Sequence, residues 1–238
     1  LQLLSPALRR LPAKFSTGLR LPGTKPWNRW KRCAAKRDIA PCEQNTPALI
    51  TFTSGSTGEP KVAVRTHGFL LAQHRVLAKE LGLTHQDKVL GTLPIFVLSH
   101  LGSGVTSLMP VANLRRPGSV KAGPIIRQIQ TCKETNIEAS PAFFECIVKY
   151  CHKHHITLPG LKKILTGGGP VFPRLLDQLK HIAPKAQIVA VYGSTEAEPI
   201  AQIPKASMGD KDIQSMTSGK GLLAGYPIKD IHLSIIPD

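Results

Sequence analysis

The chain has 238 residues, 42% of them hydrophobic, enough for one substantial α/β domain or two small ones with a buried core. No stretch nears the roughly 18–20 consecutive apolar residues of a membrane-crossing helix, and no charged start leads into a hydrophobic signal core, so the expectation is a soluble, unexported protein without a membrane span. The formal charge of +16 raises nucleic acid, anionic membrane and polyphosphate as partners, yet residues 1–40 hold ten Lys or Arg against one acid, Asp38, so more than half of the excess sits in one short segment.

In chain order, residues 1–47 read as a basic, loop-rich leader. Pro6, Pro12, Gly18, Pro22, Gly23 and Pro26 interrupt any helical or alternating pattern. Trp27 and Trp30 stand among Arg29, Lys31 and Arg32 like an RNA-binding or membrane-surface patch; a tail docked on the main domain accounts for the same residues, and nucleic acid is not the expected partner. The five cysteines, Cys33, Cys42, Cys132, Cys146 and Cys151, are an odd number in a chain too large to depend on disulfides, which points to a reducing cytoplasm. Cys146 and Cys151 with His152, His154 and His155 lack the second pair of a zinc site, and buried thiols beside a basic helix end explain them.

Residues 48–238 form the core, where short apolar runs alternate with helical patterns in the rhythm of an α/β sheet with flanking helices. Strands are expected at Ala48–Thr53, Lys88–Thr92, Ile137–Ala139, Lys162–Leu165 and Gln187–Val191, with a short apolar segment at Val105–Met109. Helices are expected at Phe69–Leu81, Pro124–Lys133, Phe143–Tyr150 and Pro173–Lys180. Beyond Thr195 the chain turns polar until Asp230–Ile236, whose alternation predicts a half-buried strand.

Directly after the first core strand comes Thr53-Ser54-Gly55-Ser56-Thr57-Gly58-Glu59-Pro60-Lys61. Glycines let backbone N–H groups approach phosphate oxygens, the hydroxyls add donors and Lys61 adds a cation. It is not a Walker A loop, which needs glycine at Pro60 and Ser or Thr at Val62, so a kinase or GTPase reading fails. Alone, such a loop is also an ordinary flexible turn.

With Phe52 in front, this stretch resembles the [FY]TSG[ST]TGxPK signature of the adenylate-forming superfamily, the AMP-binding acyl-CoA synthetases and acyl-AMP ligases. The resemblance continues in the family's order through Leu93-Pro94-Ile95-Phe96, Thr166-Gly167-Gly168-Gly169-Pro170, Tyr192-Gly193-Ser194-Thr195-Glu196 and Gly225-Tyr226-Pro227, and it covers residues 48–238. It implies the large N-terminal domain of an enzyme that activates a carboxylic acid with ATP and Mg²⁺ as an acyl-adenylate, releasing pyrophosphate; a role for coenzyme A is left open. Adenylation needs no protein nucleophile, only orientation and preorganised positive charge.

By this resemblance Thr53, Ser54, Gly55, Ser56, Thr57 and Gly58 close with Lys61 over the β- and γ-phosphates, and Thr195 touches the α-phosphate. Glu196 holds Mg²⁺, Tyr192 stacks on adenine beside Gly193, and Gly167, Gly168 and Gly169 leave room for the purine edge. Lys61, Thr195 and Glu196 are the implied catalytic residues. Phe96, Val97 and His100 occupy the stretch where the family builds part of its acyl pocket; Val97 replaces the histidine common after that motif, which favours an apolar acyl tail. Gly193–Ala201 and Leu93–Met109 look most like long-chain acyl activators and olefin β-lactone synthetases, implying a long-chain or β-hydroxy fatty acid.

Two departures bear on activity. Val62 stands where the family has glycine, stiffening the hinge of the loop. The ribose-binding aspartate motif and the lysine-bearing C-terminal lid do not occur in these 238 residues, so the expectation is a portion of a longer enzyme, inactive by itself. The alternative is a non-catalytic nucleotide-binding or interaction module on the same fold; the sequence leaves the oligomeric state open.

Overall fold

The computed structural model describes residues 6–11, 13–18, 21–28, 38–54, 60–133 and 135–236. The chain divides into two compact units, Leu1–Cys42 and Glu43–Asp238. In the first, a short helix α1 (Pro6–Arg10) precedes two parallel two-residue strands, β1 (Phe15–Ser16) and β2 (Lys25–Pro26), and the Phe15 and Trp27 rings meet edge to face with centroids 6.2 Å apart. Arg29, Trp30, Lys31, Arg32 and Cys33, part of the basic patch read in the sequence, lie outside the described residues.

The second unit opens with an antiparallel pair, β3 (Pro47–Ser54) and β4 (Pro60–Thr66), in which Phe52 faces Val62 and Ile50 faces Val64. The sequence reading placed no strand between the glycine-rich loop and the helix at Phe69. The structure corrects this: Val62 and Val64 are β-branched, favour extended backbone, and meet apolar cross-strand partners. These four side chains share one exposed face of the hairpin, so Lys61 and Arg65, offset by one position, take the other. The chain passes from β4 into α2 (His67–Leu81), where the Thr66 hydroxyl accepts the Phe69 amide at 3.2 Å and Gly82, at φ +58°, closes the C-terminal end.

The main sheet contains β5 (Lys88–Gly91), β6 (Thr106–Leu108), β7 (Asn136–Ala139), β8 (Lys163–Gly167), β9 (Gln187–Tyr192), β10 (Ala201–Pro204) and β11 (Tyr226–Pro227), in the spatial order β11-β10-β9-β8-β7-β5-β6. From β6 to β9 all neighbours are parallel, and β10 and β11 add an antiparallel edge. On one face, α4 (Ala122–Cys132), α5 (Pro141–His154) and α6 (Pro173–Ile182) bury residues such as Ile125, Phe143, Phe144 and Leu179 against Ile137, Ile164 and Ile188. On the other, Leu77 and Leu81 of α2 and Phe96 of α3 (Pro94–Gly102) cover Leu165 and Val189. Each such fully buried side chain contributes about 1.5–3 kcal/mol, so the two layers hold the sheet between them.

The strand that follows β5 in the chain, β6, lies on one side of it, and the next, β7, on the other. That reversal opens a crevice outside the carboxyl ends of β5 and β7, where α/β sheets place their ligands. Asp230–Ile236 is not a strand. Residues 231–236 pair with no other segment among the described residues, and Ile235 is 92% exposed. Alternation alone does not supply a partner edge. A helix α7 (Asp210–Thr217) fills part of the polar stretch before it, and no helix among the described residues is long and apolar enough to cross a membrane.

Candidate functional site

Because β5, β7, β8 and β9 are parallel, their carboxyl ends emerge at one edge of the sheet, and three of the segments singled out in the sequence converge there. Leu93-Pro94-Ile95-Phe96 follows β5 and opens α3, with proline in the first turn. Thr166 and Gly167 end β8, and Gly168 turns away at φ +73°. A Cβ on Gly167 would sit 2.5 Å from the Val191 carbonyl oxygen of β9, so the close approach of these two strand ends requires glycine. Tyr192 ends β9, half exposed, and Gly193–Glu198 forms the connection to β10, pinned by Ser194 N–H to Ala197 O at 2.8 Å and Ile200 N–H to Tyr192 O at 2.8 Å.

Gly168, Gly169 and Tyr192 line an open cleft of about 380 Å³ whose far wall is Leu222 and Leu223. That is room for a purine-sized group, with an aromatic face on one side. Glu196 stands fully exposed on the neighbouring loop. Its own amide N–H, the Ser194 hydroxyl, and the Arg65 and Lys61 charges hold the carboxyl below its ordinary value, so it is anionic at neutral pH. Lys61 and Arg65 come from β4, so the hairpin that carries the glycine-rich loop and the loop after β9 bring opposite charges together. Gly55, Ser56, Thr57 and Gly58 lie outside the described residues; Thr53 and Ser54 are placed as the last pairs of β3, opposite Lys61 and Pro60.

Arg65 went unnoticed in the sequence. It is 6% exposed, its guanidinium Nη2 donates to the Thr195 carbonyl, and it packs over the Phe69 ring at 6.0 Å. Behind it, Gln73 of α2 donates to the Glu198 carbonyl at 2.7 Å, and burial pushes the Glu198 carboxyl up while the Arg65 charge opposes that shift. The signal available was an arginine on the inner face of a valine-rich strand, a position that demands a partner. Its partners are far away in sequence and invisible without the fold.

Of the three residues read as an acyl pocket, Phe96 lines a small cavity at the ends of β7, β8 and β9, together with Leu93, Glu138, Gly168, Gly193 and Glu198. Val97 and His100 lie behind it, over Gly91 of β5, and His100 is 1% exposed, with Nε2 beside the Glu138 carboxylate and Nδ1 3.2 Å from Ser107 Oγ. Glu138 was also missed, although an acid inside the run Asn136-Ile137-Glu138-Ala139 is a visible anomaly for a buried strand. No group of three His, Cys, Asp or Glu placed to hold a metal occurs among the described residues. A magnesium ion fits here only as one that takes Glu196 as its protein ligand and keeps water and ligand oxygens for the rest, a pattern normal for that ion.

A family model described as AMP-binding enzyme matches residues 9–236. The olefin beta-lactone synthetase of Stenotrophomonas maltophilia is 28% identical over 199 residues, 83% of this chain and 35% of its own length, so the chain spans little more than a third of that curated relative. Among solved structures, a long-chain-fatty-acid-CoA ligase from Archaeoglobus fulgidus superposes with a TM-score of 0.60 at 27% identity, covering 77% of this chain and 37% of that one. The O-succinylbenzoate coenzyme A synthetase of Bacillus subtilis, in complex with ATP and magnesium ion, gives a TM-score of 0.68 at 21% identity, over 90% of this chain and 43% of that one, and shares the fold.

Proposed function

We propose, from the premise that this chain belongs to the AMP-binding enzyme family, that it is the nucleotide-binding portion of an ATP-dependent acid ligase. A carboxylate oxygen of the substrate attacks the α-phosphorus of ATP, the bond to the bridging oxygen breaks, and pyrophosphate leaves with its electron pair. The observation that carries this reading is the ionised Glu196 facing Lys61 and Arg65 at the edge of the sheet, beside a cleft walled by Tyr192.

In this assignment the loop 53–58 and Lys61 bind the β- and γ-phosphates, where a fixed cation stabilises the charge that builds on the leaving pyrophosphate. Thr195 orients the α-phosphate, its backbone held by Arg65. Tyr192 and Gly167–Gly169 receive the adenine. Glu196 holds Mg²⁺, which when bound neutralises phosphate oxygens that would otherwise repel the incoming carboxylate.

The acid is a long-chain or β-hydroxy fatty acid, a reading supported by the apolar wall of Leu93, Phe96, Leu165 and Val191 and by relatives named for a β-lactone product and for long-chain fatty acids. The protein works in the reducing cytoplasm, in keeping with Cys42, Cys132, Cys146 and Cys151 as free thiols.

Calorimetry with ATP and magnesium, paired with a pyrophosphate-release assay on the protein at its full natural length, tests the reading. Lys61→Ala and Glu196→Ala should each weaken MgATP binding about tenfold or more and abolish acid-dependent pyrophosphate release. Unchanged affinity in both variants would overturn the site, and tight binding without release would make the protein a nucleotide-binding module instead.

A further inference from the structure

Glu138 is the single acidic residue in the strands of the main sheet among the described residues. It sits on β7, beside the crevice where strand order reverses, and is 1% exposed. Among the described residues its hydrogen-bonding partner is His100 of α3, equally buried, whose Nε2 stands 3.2 Å from Oε1 and 3.1 Å from Oε2, and the Lys163 charge on β8 also acts on it. One ring N–H serves one carboxylate oxygen. Nε2 stands between the two oxygens and its hydrogen bond goes to Oε1, the other ring nitrogen is engaged with Ser107 Oγ, and Oε2 has no hydrogen-bond donor of its own among the described residues. A buried carboxylate oxygen lacking a donor is costly, and Glu138 is one of the residues that line a small cavity.

That cavity holds about 10 Å³, the space of one water-sized group, and Leu93, Phe96, Gly168 and Gly193 line it with Glu138. Glu198, from the loop that carries Thr195 and Glu196, lines it too, so a group lodged against Glu138 sits beside that loop. A hydroxyl and an ammonium both match the size, and both donate a hydrogen bond to a carboxylate.

We propose that Glu138 is a specificity-determining residue: its free Oε2 accepts a hydrogen bond from a hydroxyl or ammonium substituent that the acid carries close to its carboxyl group, and His100 is the positioning residue that fixes the Glu138 carboxylate for this contact. The inference rests on the reading of the crevice as the acid site. It sets the substrate class as substituted acids, since an unsubstituted chain leaves the carboxylate oxygen as bare as it is now, and sites with buried polar groups reject analogues that leave those groups unpaired.

The test compares three acids of one chain length, unsubstituted, 3-hydroxy and 3-amino, in pyrophosphate release by the full-length protein, with kcat/KM as the readout. The wild type should prefer at least one substituted acid by about tenfold or more over the unsubstituted acid, and E138Q, which keeps the volume but exchanges a pure acceptor for a donor-bearing amide, should shrink that ratio several-fold. A general structural lesion would lower all three alike and leave the ratio intact. Equal use of the three acids by the wild type, or an unchanged ratio in E138Q, overturns the proposal; should E138Q fail to fold, the wild-type ratio decides. If no acid supports release, both this inference and the proposed function fall, whereas release without preference removes only the role of Glu138.

Discussion

At the edge of the main sheet where β5, β7 and β8 begin, polar groups are satisfied. Asp87 accepts the Thr84 amide and hydroxyl at 2.9 Å each, the Thr135 hydroxyl at 3.0 Å and the Lys162 ammonium at 3.5 Å, tying three strand starts together. Lys163 donates to the Glu80 and Leu81 carbonyls at 3.1 Å, closing the C-terminal end of α2. Where those strands end, the buried side-chain polar atoms without a partner among the described residues collect: Glu138 Oε2, Ser140 Oγ and Thr166 Oγ1, with Arg65 Nε and Gln73 Oε1 beside the Thr195–Glu198 loop. Native folds leave few such atoms, so the contrast separates an edge that anchors the fold from the edge to which we assign the ligand.

Substitutions break or sharpen this contrast. The largest effect belongs to the anchored edge. Burial pushes the Asp87 carboxyl up, but its four donors outweigh that and hold it at about 2 against an ordinary 3.8. The folded value is depressed, so the stabilisation is full above pH ~4 and is lost as pH falls to ~2. Asp87→Asn should therefore cost about 2 kcal/mol in urea unfolding at pH 7 and almost nothing at pH 2.

At the ligand edge, Arg65→Gln removes the cation that holds the Thr195 carbonyl and faces Glu196. Calorimetry should show MgATP affinity falling about tenfold, worth ~1.4 kcal/mol, with the chain still folded. Smaller still is Thr166→Val, which deletes a buried hydroxyl that has no partner among the described residues. Thermal unfolding should find it neutral or stabilised by up to about 1 kcal/mol, the opposite of a hydroxyl deleted at the anchored edge, such as Thr135→Val. The subtlest is Glu198→Gln. Burial raises the folded pKa of Glu198, so its charge opposes folding at neutral pH and the penalty disappears once pH drops below the ordinary carboxylate range. The variant should be slightly more stable than wild type at pH 7, with the gap closing in acid.

The same contrast explains what could be read without coordinates. β5, β8 and β9 are apolar runs bounded by turns, and their helices repeat Leu, Ile and Phe at helical spacing, so the central sheet was legible from local pattern. β4 and α3 escape because both sit inside motifs that read as chemistry first: Pro60-Lys61 ends the phosphate-loop signature, and Leu93-Pro94-Ile95-Phe96 is a family motif whose Phe96 reads as pocket. Asp230–Ile236 alternates correctly and still forms no strand, since a strand needs a neighbour. At the site, glycines and the Tyr192–Glu196 run carry their signal in sequence order. Arg65, Glu138 and Glu198 do not, because their meaning lies in partners 38 to 130 positions away, reached only once the strands align.

Amide hydrogen exchange with and without MgATP tests the central claim, that the carboxyl edge of the sheet is the nucleotide site. The account predicts new protection in residues 60–65, 166–169 and 192–198, with exchange at 84–88, 135 and 162 unchanged. Protection at the Asp87 edge, or none at Thr195–Glu198, would contradict it.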